Sequence, residues 1–538
     1  LHPRGLRRRR LIVGGDWSWN STRAGSIVAR MTFDRKSLEN EILRARTRVY
    51  RAAGPTPLEK MSLEDCPEVF VKREDLSPIK AYKWRGAFNR MAVLDEEERR
   101  RPVVAASAGN HAQGVALAAG ILGLRARVFM PTTTPEVKRS AVADKGGDAV
   151  EVVLTGDGYD DALAAAKEAA RDSGGTFVHA YDDPLVIAGQ ATLADEVVLS
   201  GEGPFDVAYL QIGGGGMAAG VAVWLKRFFH GIRIVGVEGE GQASMAAAVE
   251  AGRPVRLEDL DIFCDGTAVR QAGETTSRIC AEVIDEFVTV SNEEVSDAIR
   301  VYWEKLRCLQ EPSGAMGLAG LRKHAVNAPL GKALVIACGA NVDFGRLSLI
   351  ADQAGIGGRR RRHLRVRLPE KPGSMLRLFE EAFQGHSVID FQYGKTDRER
   401  AWPVFGFALT GAEEAELSAR LDGGAYSHEA ADESAAVRFR AIPCDPRTME
   451  NPVFLEIDFY ERPGALRDFL VDVVKGRANL CYFNYRYSGE RVGRALVAVE
   501  FDSATTADRF RVELPFQGAG YRSCRVLTTE EARRSVTG

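Results

Sequence analysis

Between residues 47 and 352, short runs of β-branched and aliphatic residues alternate with alanine-rich stretches of helical composition. The runs occupy residues 69–72, 103–106, 127–130, 149–153, 207–212, 232–237 and 333–337. Because these runs lack the polar alternation of a half-exposed strand, both faces of each strand are expected to be covered. Helices between successive strands make such sheets parallel. The pattern therefore predicts an α/β fold with doubly wound sheets.

Length, charge and hydrophobicity narrow the class of protein. The chain has 538 residues, more than one hydrophobic core can organise, so several domains are expected. The net charge of −2 gives no electrostatic reason to expect nucleic acid and favours small molecules as partners. The longest uncharged stretch, residues 102–124, contains Ser107, Asn110 and His111. We therefore predict a buried strand, a polar turn and a buried helix there, and no membrane span.

The N-terminal region allows two interpretations. Residues 1–30 are rich in arginine and hold a single acid, Asp16, which is the composition of an organelle transit segment. The first methionine is Met31, and helical patterning begins soon after it, at Leu38, which favours an upstream extension that carries no fold. The first interpretation implies a plastid protein. The second implies a cytoplasmic protein, and it is the one that we prefer.

The C-terminal third of the chain repeats itself. A strand-like run, an acid, a basic residue, a Pro-Gly pair, a small residue and a helical run occupy residues 363–379 and recur over 453–470. Further on, residues 389–393 match 481–485 with one residue of slippage. Two copies of a strand, turn, helix and strand indicate an internal duplication of an α+β unit. The whole chain is then divided into an extension 1–36, an α/β domain 37–354, a glycine- and arginine-rich linker 355–362, and repeats 363–440 and 451–534.

Four polar motifs stand beside the predicted strands and helices. They are Lys83 within residues 81–87, the turn Ser107, Ala108, Gly109, Asn110 and His111 after the strand 103–106, the loop Gly213, Gly214, Gly215, Gly216 and Met217 after the strand 207–212, and Cys338 after the strand 333–337. Taken singly, each has an ordinary structural explanation: a surface lysine, a helix cap, a flexible loop and a packed thiol. Their combination favours a functional site.

The lysine and the glycine loop are the parts that hold pyridoxal phosphate (PLP). Lysine supplies an amine on a long, flexible stem, which can bond to the aldehyde of PLP and whose pKa falls on partial burial. Positive charge from Lys80 and Arg85 is expected to keep part of Lys83 neutral. A glycine turn that opens a helix offers backbone donors to a phosphate. The glycine spacing is not GxGxxG, which favours PLP over a dinucleotide.

In this order and spacing the motifs resemble the threonine dehydratase family of PLP enzymes. The resemblance covers roughly residues 40–530 and implies a tryptophan-synthase-beta-like PLP fold (fold type II) followed by two ACT-like regulatory domains. It implies that Lys83 is the catalytic lysine, that the loop 213–217 holds the phosphate, and that Cys338 contacts the pyridine nitrogen. By the same resemblance, the turn 107–111 clamps the substrate carboxylate and Asn110 bonds the ring hydroxyl oxygen.

Some positions differ from the family pattern or from related serine racemases. Ala81 replaces the usual serine before the aromatic-lysine pair, so any hydroxyl contact from that position is lost. Ala108 stands where serine racemases carry a serine that protonates the opposite face of the substrate, so the site suits elimination and not racemisation. A neutral thiol at Cys338 leaves the ring a weaker electron sink, which restrains transamination. Ser313, within the family-like segment 311–314, is expected near the cofactor.

No metal is expected. Eight cysteines lie far apart, without a CxxC pair or a His/Cys cluster of zinc spacing, which is typical of a reducing compartment. The segment 238–244 aligns with the cation site of serine racemases but lacks its second carboxylate, so no divalent cation is predicted to be required.

The resemblance implies an enzyme that converts L-threonine, and also L-serine, to a 2-oxo acid and ammonia, the first step of isoleucine synthesis. It further implies a homotetramer that is inhibited by isoleucine or valine. Two alternatives stay open: a serine-preferring catabolic dehydratase, which the doubled C-terminal domain disfavours, and a catalytically dead amino-acid sensor. The repeats could also be packing modules without a ligand.

Overall fold

The computed structural model describes residues 34–531 except 65, 67, 326–330, 356–359, 425, 433, 435, 438–439, 461, 463, 487–491 and 529. The interpretations of residues 1–30 therefore lie outside the described residues, as do 356–359 of the predicted linker. The described chain falls into two compact units, the first ending at Ala354 and the second beginning at Gly355.

The first unit alternates helices and strands. In chain order these are α1 Arg35–Val49, β1 Leu58–Met61, β2 Val69–Arg73, α2 Trp84–Ala92, α3 Glu96–Arg99, β3 Val103–Ala106, α4 Asn110–Leu122, β4 Ala126–Met130, α5 Glu136–Gly146, β5 Val150–Leu154, α6 Tyr159–Ser173, β6 Thr176–Phe177, α7 Pro184–Leu199, β7 Val207–Gln211, α8 Gly216–Phe228, β8 Arg233–Gly239, α9 Ser244–Ala251, α10 Glu274–Val283, β9 Glu286–Val290, α11 Asn292–Leu306, α12 Pro312–Ala325, β10 Ala333–Ala337 and α13 Leu347–Gln353.

A six-stranded sheet forms the larger layer, in the order β1-β2-β10-β7-β8-β9. Its strands are parallel except β1, which pairs antiparallel with β2. Alternate residues of β2 enter different cores: Phe70 packs with α7 and α8, whereas Val69 and Val71 pack with α11 and α12. Both faces of the sheet are thus covered by helices. This confirms the prediction from the unbroken apolar runs.

A second, four-stranded parallel sheet has the order β5-β4-β3-β6. Val103 and Ala105 pack against α2 and α4, whereas Val104 and Ala106 pack against α6. The uncharged stretch 102–124 forms β3, a turn and α4, as predicted. Helix α4 ends at Gly123, whose φ of 63° is the left-handed conformation that glycine adopts without strain.

Some boundaries and strands differ from the prediction. Helix α1 begins at Arg35, inside the segment predicted as unstructured, because the Asp34 side chain accepts the Lys36 N–H and caps it. Strands β1, β6 and β9 were not predicted, since β1 and β6 are short and β9 is half exposed.

The second unit contains β11 Arg360–Val366, β12 Leu368–Pro369, α14 Ser374–Glu381, β13 Val388–Gly394, β14 Arg400–Ala401, β15 Val404–Leu409, α15 Gly411–Gly423, β16 His428–Ala430, β17 Val453–Tyr460, α16 Ala465–Phe469, β18 Asn479–Arg486, β19 Val492–Glu500, α17 Ala504–Glu513 and β20 Tyr521–Val526. Strand β11 includes Arg360 to Arg362, which the sequence analysis assigned to the linker. These arginines pair with β15, from Arg360 opposite Leu409 onward, and are therefore part of the sheet.

The duplication is visible in one antiparallel sheet of eight strands, ordered β16-β11-β15-β13-β18-β19-β17-β20. The order is symmetric about the β13–β18 pair, so each repeat supplies four strands in matching places. The two matched sequence segments lie on these central strands. Phe391 stacks on Phe483 there, with ring centroids 4.3 Å apart. The repeats thus form a continuous sheet with a shared core.

Within the described residues, no helix is both long enough and apolar enough to cross a membrane.

Candidate active site

A cavity in the first unit lies where β7 and β10 end and where α2, α4, α8 and α12 begin. We call it the central cavity. It is lined by Tyr82, Lys83, Asn110, Ala180, Tyr181, Gln190, Gln211, Gly213, Gly214, Gly215, Gly216, Met217, Ala218, Gly266, Thr267, Glu311, Ser313 and Cys338. The four motifs from the sequence therefore contribute to one cavity, although they are widely separated along the chain.

The loop that carries Lys83 is bound to the loop that follows β10. Tyr82 N–H donates to the carbonyl of Cys338 at 3.2 Å, and Ala340 N–H donates to the carbonyl of Lys80 at 2.8 Å. A bridge between Ala81 and Gly339 lies between these two bonds. Backbone bonds thus hold Lys83 and Cys338 side by side without a contact from the side chain at position 81.

The Lys83 amine has no hydrogen bond or ion pair within the described part of the chain, and its nitrogen lies 5.5 Å from the centre of the Tyr82 ring. Burial lowers the pKa of Lys83, and the nearby acidic groups of Cys338 and Glu311 act in the opposite direction. Burial is one of the two predicted causes, whereas the other, positive charge from Lys80 and Arg85, does not contribute. Arg85 cannot supply that charge because two carboxylates neutralise it.

Arg85 belongs to a fully buried ionic cluster beneath the lysine loop. Its Nε donates to Glu74 Oε2 at 2.8 Å, and its Nη1 donates to Glu196 Oε1 at 2.5 Å. Lys72 Nζ donates to Glu196 Oε2 at 2.5 Å, and Thr56 Oγ1 donates to Glu74 Oε1 at 2.5 Å. The two cations match the two carboxylates in number, so the cluster satisfies its charges internally. It anchors the first turn of α2 and, with it, Lys83.

The four glycines form a loop closed on its outer side by other residues. A Cβ on Gly214 would lie 2.2 Å from the Tyr181 ring, and one on Gly213 would lie 2.7 Å from the carbonyl oxygen of Thr267. Gly215 has a φ of 92°. None of the backbone N–H groups from Gly213 to Ala218 donates to another group within the described residues. These open donors at the start of α8 suit a phosphate.

The turn 107–111 leads into α4 in a similar way, with Asn110 and His111 already in the helix. Ser107 Oγ accepts from Gly109 N–H at 3.2 Å, and the His111 ring contacts the carbonyl oxygen of Val178 at 3.0 Å through Nε2. Burial lowers the pKa of His111 to about 3, so the ring is neutral and donates that bond. The imidazole is therefore turned toward Val178, and His111 does not line the central cavity. What the turn offers a carboxylate is its backbone, since the N–H groups of Asn110, His111 and Ala112 have no partner in the described chain.

Asn110 contacts two residues to which sequence reasoning gave no role. Its Nδ2 donates to Glu311 Oε1 at 2.7 Å, and its Oδ1 accepts from Asn341 Nδ2 at 2.6 Å. Burial raises the pKa of Glu311 to about 7, and the charge of Asp265 adds to this shift. Both residues lie within three positions of a predicted site residue, Glu311 near Ser313 and Asn341 near Cys338. Their contacts across the fold could not be read from spacing.

Cys338 and Ser313 lie in the cavity wall, as expected. Burial raises the pKa of the Cys338 thiol to about 12, so it stays neutral. Its sulfur lies 3.8 Å from the Ser313 carbonyl oxygen. The Ser313 hydroxyl contacts Thr267 Oγ1 at 3.2 Å. Gln211 also reaches this wall, and its Oε1 is buried without a partner in the described structure.

Glu238, in the segment compared with a cation site, has a structural role. Its two carboxylate oxygens accept the N–H groups of Met245 and Ala246 at 2.8 and 2.9 Å, at the start of α9. Burial raises the pKa of Glu238 to about 8. No group of three His, Cys, Asp or Glu side chains arranged to hold a metal occurs in the described residues.

Comparison with known proteins identifies the family. Residues 49–339 match the family model described as pyridoxal-phosphate dependent enzyme, and residues 448–528 match the C-terminal regulatory domain of threonine dehydratase. The chain is 38% identical over 477 residues to the biosynthetic L-threonine dehydratase of Haemophilus influenzae, covering 87% of this chain and 92% of that protein. The chain belongs to the threonine dehydratase family.

Plant relatives and solved structures agree. The chloroplastic biosynthetic threonine dehydratase of Arabidopsis thaliana is 35% identical, over 89% of this chain and 81% of its own length. The processed form of threonine deaminase isoform 2 from Solanum lycopersicum superposes with a TM-score of 0.57 at 37% identity, over 60% of this chain and 95% of that one. The predicted fold class and enzyme class are confirmed.

Members of this family depend on PLP, and the central cavity fits that cofactor. It holds a lysine amine and a glycine loop whose amine and backbone N–H groups have no partner among the described residues, together with a neutral thiol. Side chains in place of Gly213 and Gly214 would collide with the surrounding residues, so the loop has to be made of glycine there.

Proposed function

We propose that this enzyme deaminates L-threonine to 2-oxobutanoate and ammonia, with Lys83 as its catalytic residue, and that it also accepts L-serine. The observation that carries the proposal is that the unpartnered Lys83 amine and the open donors of the loop 213–217 line the same cavity. An amine and a phosphate cradle in one cavity suit PLP far better than a nucleotide. The enzyme is accordingly a carbon-nitrogen lyase.

Each motif has a part in binding. Lys83 would bond the aldehyde carbon of PLP, the loop from Gly213 to Met217 would hold the phosphate, and Asn110 would donate to the ring oxygen. The turn 107–111 would receive the substrate carboxylate on its backbone N–H groups. When bound, PLP supplies a conjugated ring that stabilises negative charge at the substrate Cα.

The proton chemistry belongs to Lys83. When not bonded to PLP, Lys83 would be a free base beside Cα, and its lowered pKa would keep it unprotonated more readily than an exposed lysine. It would remove the Cα proton, and the hydroxyl group on Cβ would take up a proton and leave as water. The resulting enamine is hydrolysed by water to 2-oxobutanoate and ammonia. Ala108 provides no second acid on the opposite face, and the buried, neutral Cys338 places no negative charge near the ring. Both features favour elimination over racemisation or transamination.

Purified full-length protein reconstituted with PLP tests this assignment. We expect a visible absorbance band that shifts when threonine is added, and 2-oxobutanoate formed faster from threonine than pyruvate from serine. A faster serine reaction would indicate the catabolic dehydratase. A bound cofactor with no product from either substrate would indicate an amino-acid sensor.

The second unit is proposed to be regulatory, with isoleucine as the inhibitor and valine as a further effector. Support comes from the match of residues 448–528 to a regulatory domain and from the two-fold order of the eight-stranded sheet. An effector inhibits at a distance only if it binds the less active arrangement more tightly, and a typical coupling of about 1 to 3 kcal/mol changes affinity roughly 5- to 150-fold. Truncation after Ala354 should give a threonine-deaminating protein that ignores isoleucine.

Assembly and location are part of the same proposal. We expect a homotetramer, measurable by light scattering, that needs neither a divalent metal, nucleic acid nor a membrane. All eight cysteines are free, which suits a reducing compartment. The cytoplasm is such a compartment, and so is a plastid if residues 1–30 are a transit segment.

A further inference from the structure

We propose that Glu311 and Asn341 are positioning residues that restrict Asn110 to donating hydrogen bonds into the central cavity. The site would then select a cofactor that presents a hydrogen-bond acceptor at that point. The inference rests on the proposed function, in which Asn110 faces the ring oxygen of PLP.

The orientation of the two amides follows from one backbone carbonyl. The carbonyl oxygen of Ile79 can only accept, so the Asn341 side-chain group 2.9 Å from it must be the nitrogen. The same nitrogen lies 2.6 Å from the Asn110 amide, which must therefore present its oxygen to Asn341. Asn110 Nδ2 is left on the other side, 2.7 Å from Glu311 Oε1. The contacts fix both amides in one orientation.

Glu311 completes the arrangement because both of its oxygens face donors. Oε1 accepts from Asn110 Nδ2, and Oε2 accepts from the backbone N–H of Asn341 at 3.1 Å. The side chain is buried, with 4% of its surface exposed, so water does not compete for these bonds. Above its pKa of about 7, Glu311 is a carboxylate that accepts on both sides, whereas glutamine carries a donor on one of them.

One Asn110 N–H remains for the cavity. An amide nitrogen carries two hydrogens, and Glu311 takes one of them. The amide oxygen is occupied by Asn341, so Asn110 can only donate toward the cavity that it lines. A cofactor without an acceptor there leaves this N–H buried and unsatisfied. The cost of such a donor corresponds to a loss in affinity of roughly 5- to 150-fold.

The probes that test this are PLP and 3-deoxypyridoxal phosphate, which lacks the ring oxygen. Full-length protein freed of cofactor is titrated with each, and binding is followed by absorbance. We expect the wild type to bind PLP at least about fivefold more tightly than the deoxy analogue. In Glu311→Gln, the new amide nitrogen must avoid the fixed backbone N–H of Asn341, so it faces Asn110. Neither orientation of Asn110 then satisfies both the substituted side chain and Asn341 Nδ2, so the amide is no longer fixed. The preference should fall to about threefold or less.

Asn341→Asp is the second variant, because it replaces the donor to Asn110 Oδ1 with an acceptor and should abolish the preference in the same way. Asp265→Asn is the matched control. It converts a partly exposed carboxylate near Glu311 into an amide without touching Asn110, and should keep the wild-type preference. The inference is overturned if the wild type binds both probes equally, or if both test variants keep its preference. A wild type that binds neither probe overturns the proposed function itself.

Discussion

Arg85 lies two residues beyond the lysine proposed for catalysis, and its Nε donates a hydrogen bond to Glu74 Oε2 at 2.8 Å. Both side chains are fully buried, and Lys72 and Glu196 complete the charge balance around them. Burial opposes ionisation of Glu74, but Arg85 and Lys72 outweigh it and lower the pKa of the carboxyl to about 2. The placement of Lys83 therefore depends on a cluster of charges far from solvent.

Glu74→Gln should destabilise the first unit strongly. It leaves Arg85 and Lys72 with one carboxylate between them, and breaking a buried pair in this way costs about 3 to 5 kcal/mol. Denaturant unfolding measures the loss. Glu59→Gln is the control, because it removes a half-exposed partner of Arg73 and should cost less than about 1 kcal/mol. Equal losses in the two variants would mean that the buried cluster is not a special source of stability.

His111 should make the protein sensitive to acid. Its pKa is about 3 in the folded chain, below the ordinary value of 6.5, so the unfolded chain binds the proton first as pH falls. The stability that the neutral ring contributes is present above pH 6.5 and is lost as the pH falls toward 3. At pH 5 the loss of stability is roughly 2 kcal/mol. In His111→Gln, the stability lost between pH 7 and pH 5 should be smaller by that amount. The exposed His230→Gln serves as the control, and an identical acid loss in all three proteins would contradict the linkage.

The glycine loop should not tolerate a methyl group at position 214. In Gly214→Ala the new Cβ would lie 2.2 Å from the Tyr181 ring, so the ring or the loop must move. We expect at least about tenfold weaker PLP binding, since about 1.4 kcal/mol of lost contact gives that factor. Gly54→Ala is the control, because a Cβ there meets nothing within 4 Å. Unchanged PLP affinity in Gly214→Ala would show that this loop does not hold the phosphate.

Substitution of Cys338 should change the partition between elimination and transamination. Cys338→Asp places a carboxylate in the cavity wall, which favours protonation of the pyridine nitrogen. Elimination should slow, and pyridoxamine phosphate should accumulate during turnover. Cys338→Ser keeps a neutral group and should resemble the parent. The same product ratio in a folded, PLP-loaded aspartate variant would argue against contact between residue 338 and the ring.

The sequence predicted seven of the ten strands of the first unit, because buried parallel strands leave unbroken apolar runs, as at Val103–Ala106. It also located the motifs that follow the strands 103–106, 207–212 and 333–337. The pairing of residues remote in sequence was not predictable. Asn110 and Glu311 are 201 positions apart, and Arg85 and Glu196 are 111 apart, so no local pattern records either contact.

The same limit explains two smaller differences. The sequence analysis assigned the arginines of β11 to a linker, because charge runs are usually solvated. Their pairing with β15 makes them part of a strand. His111 looked like a substrate ligand because it follows Asn110, but its ring is turned toward Val178. In both cases the deciding partner lies on another element.

The most direct test of the central claim is the rate of 2-oxobutanoate formation from threonine by Lys83→Ala and Lys83→Arg. Both variants lose the amine that is proposed to bond PLP and to act as the base, and the arginine variant keeps a positive charge of similar reach. We expect both to fall by several orders of magnitude, with fold and PLP content checked in parallel. A folded, PLP-loaded variant that keeps even about a tenth of the parental rate would contradict the assignment of Lys83.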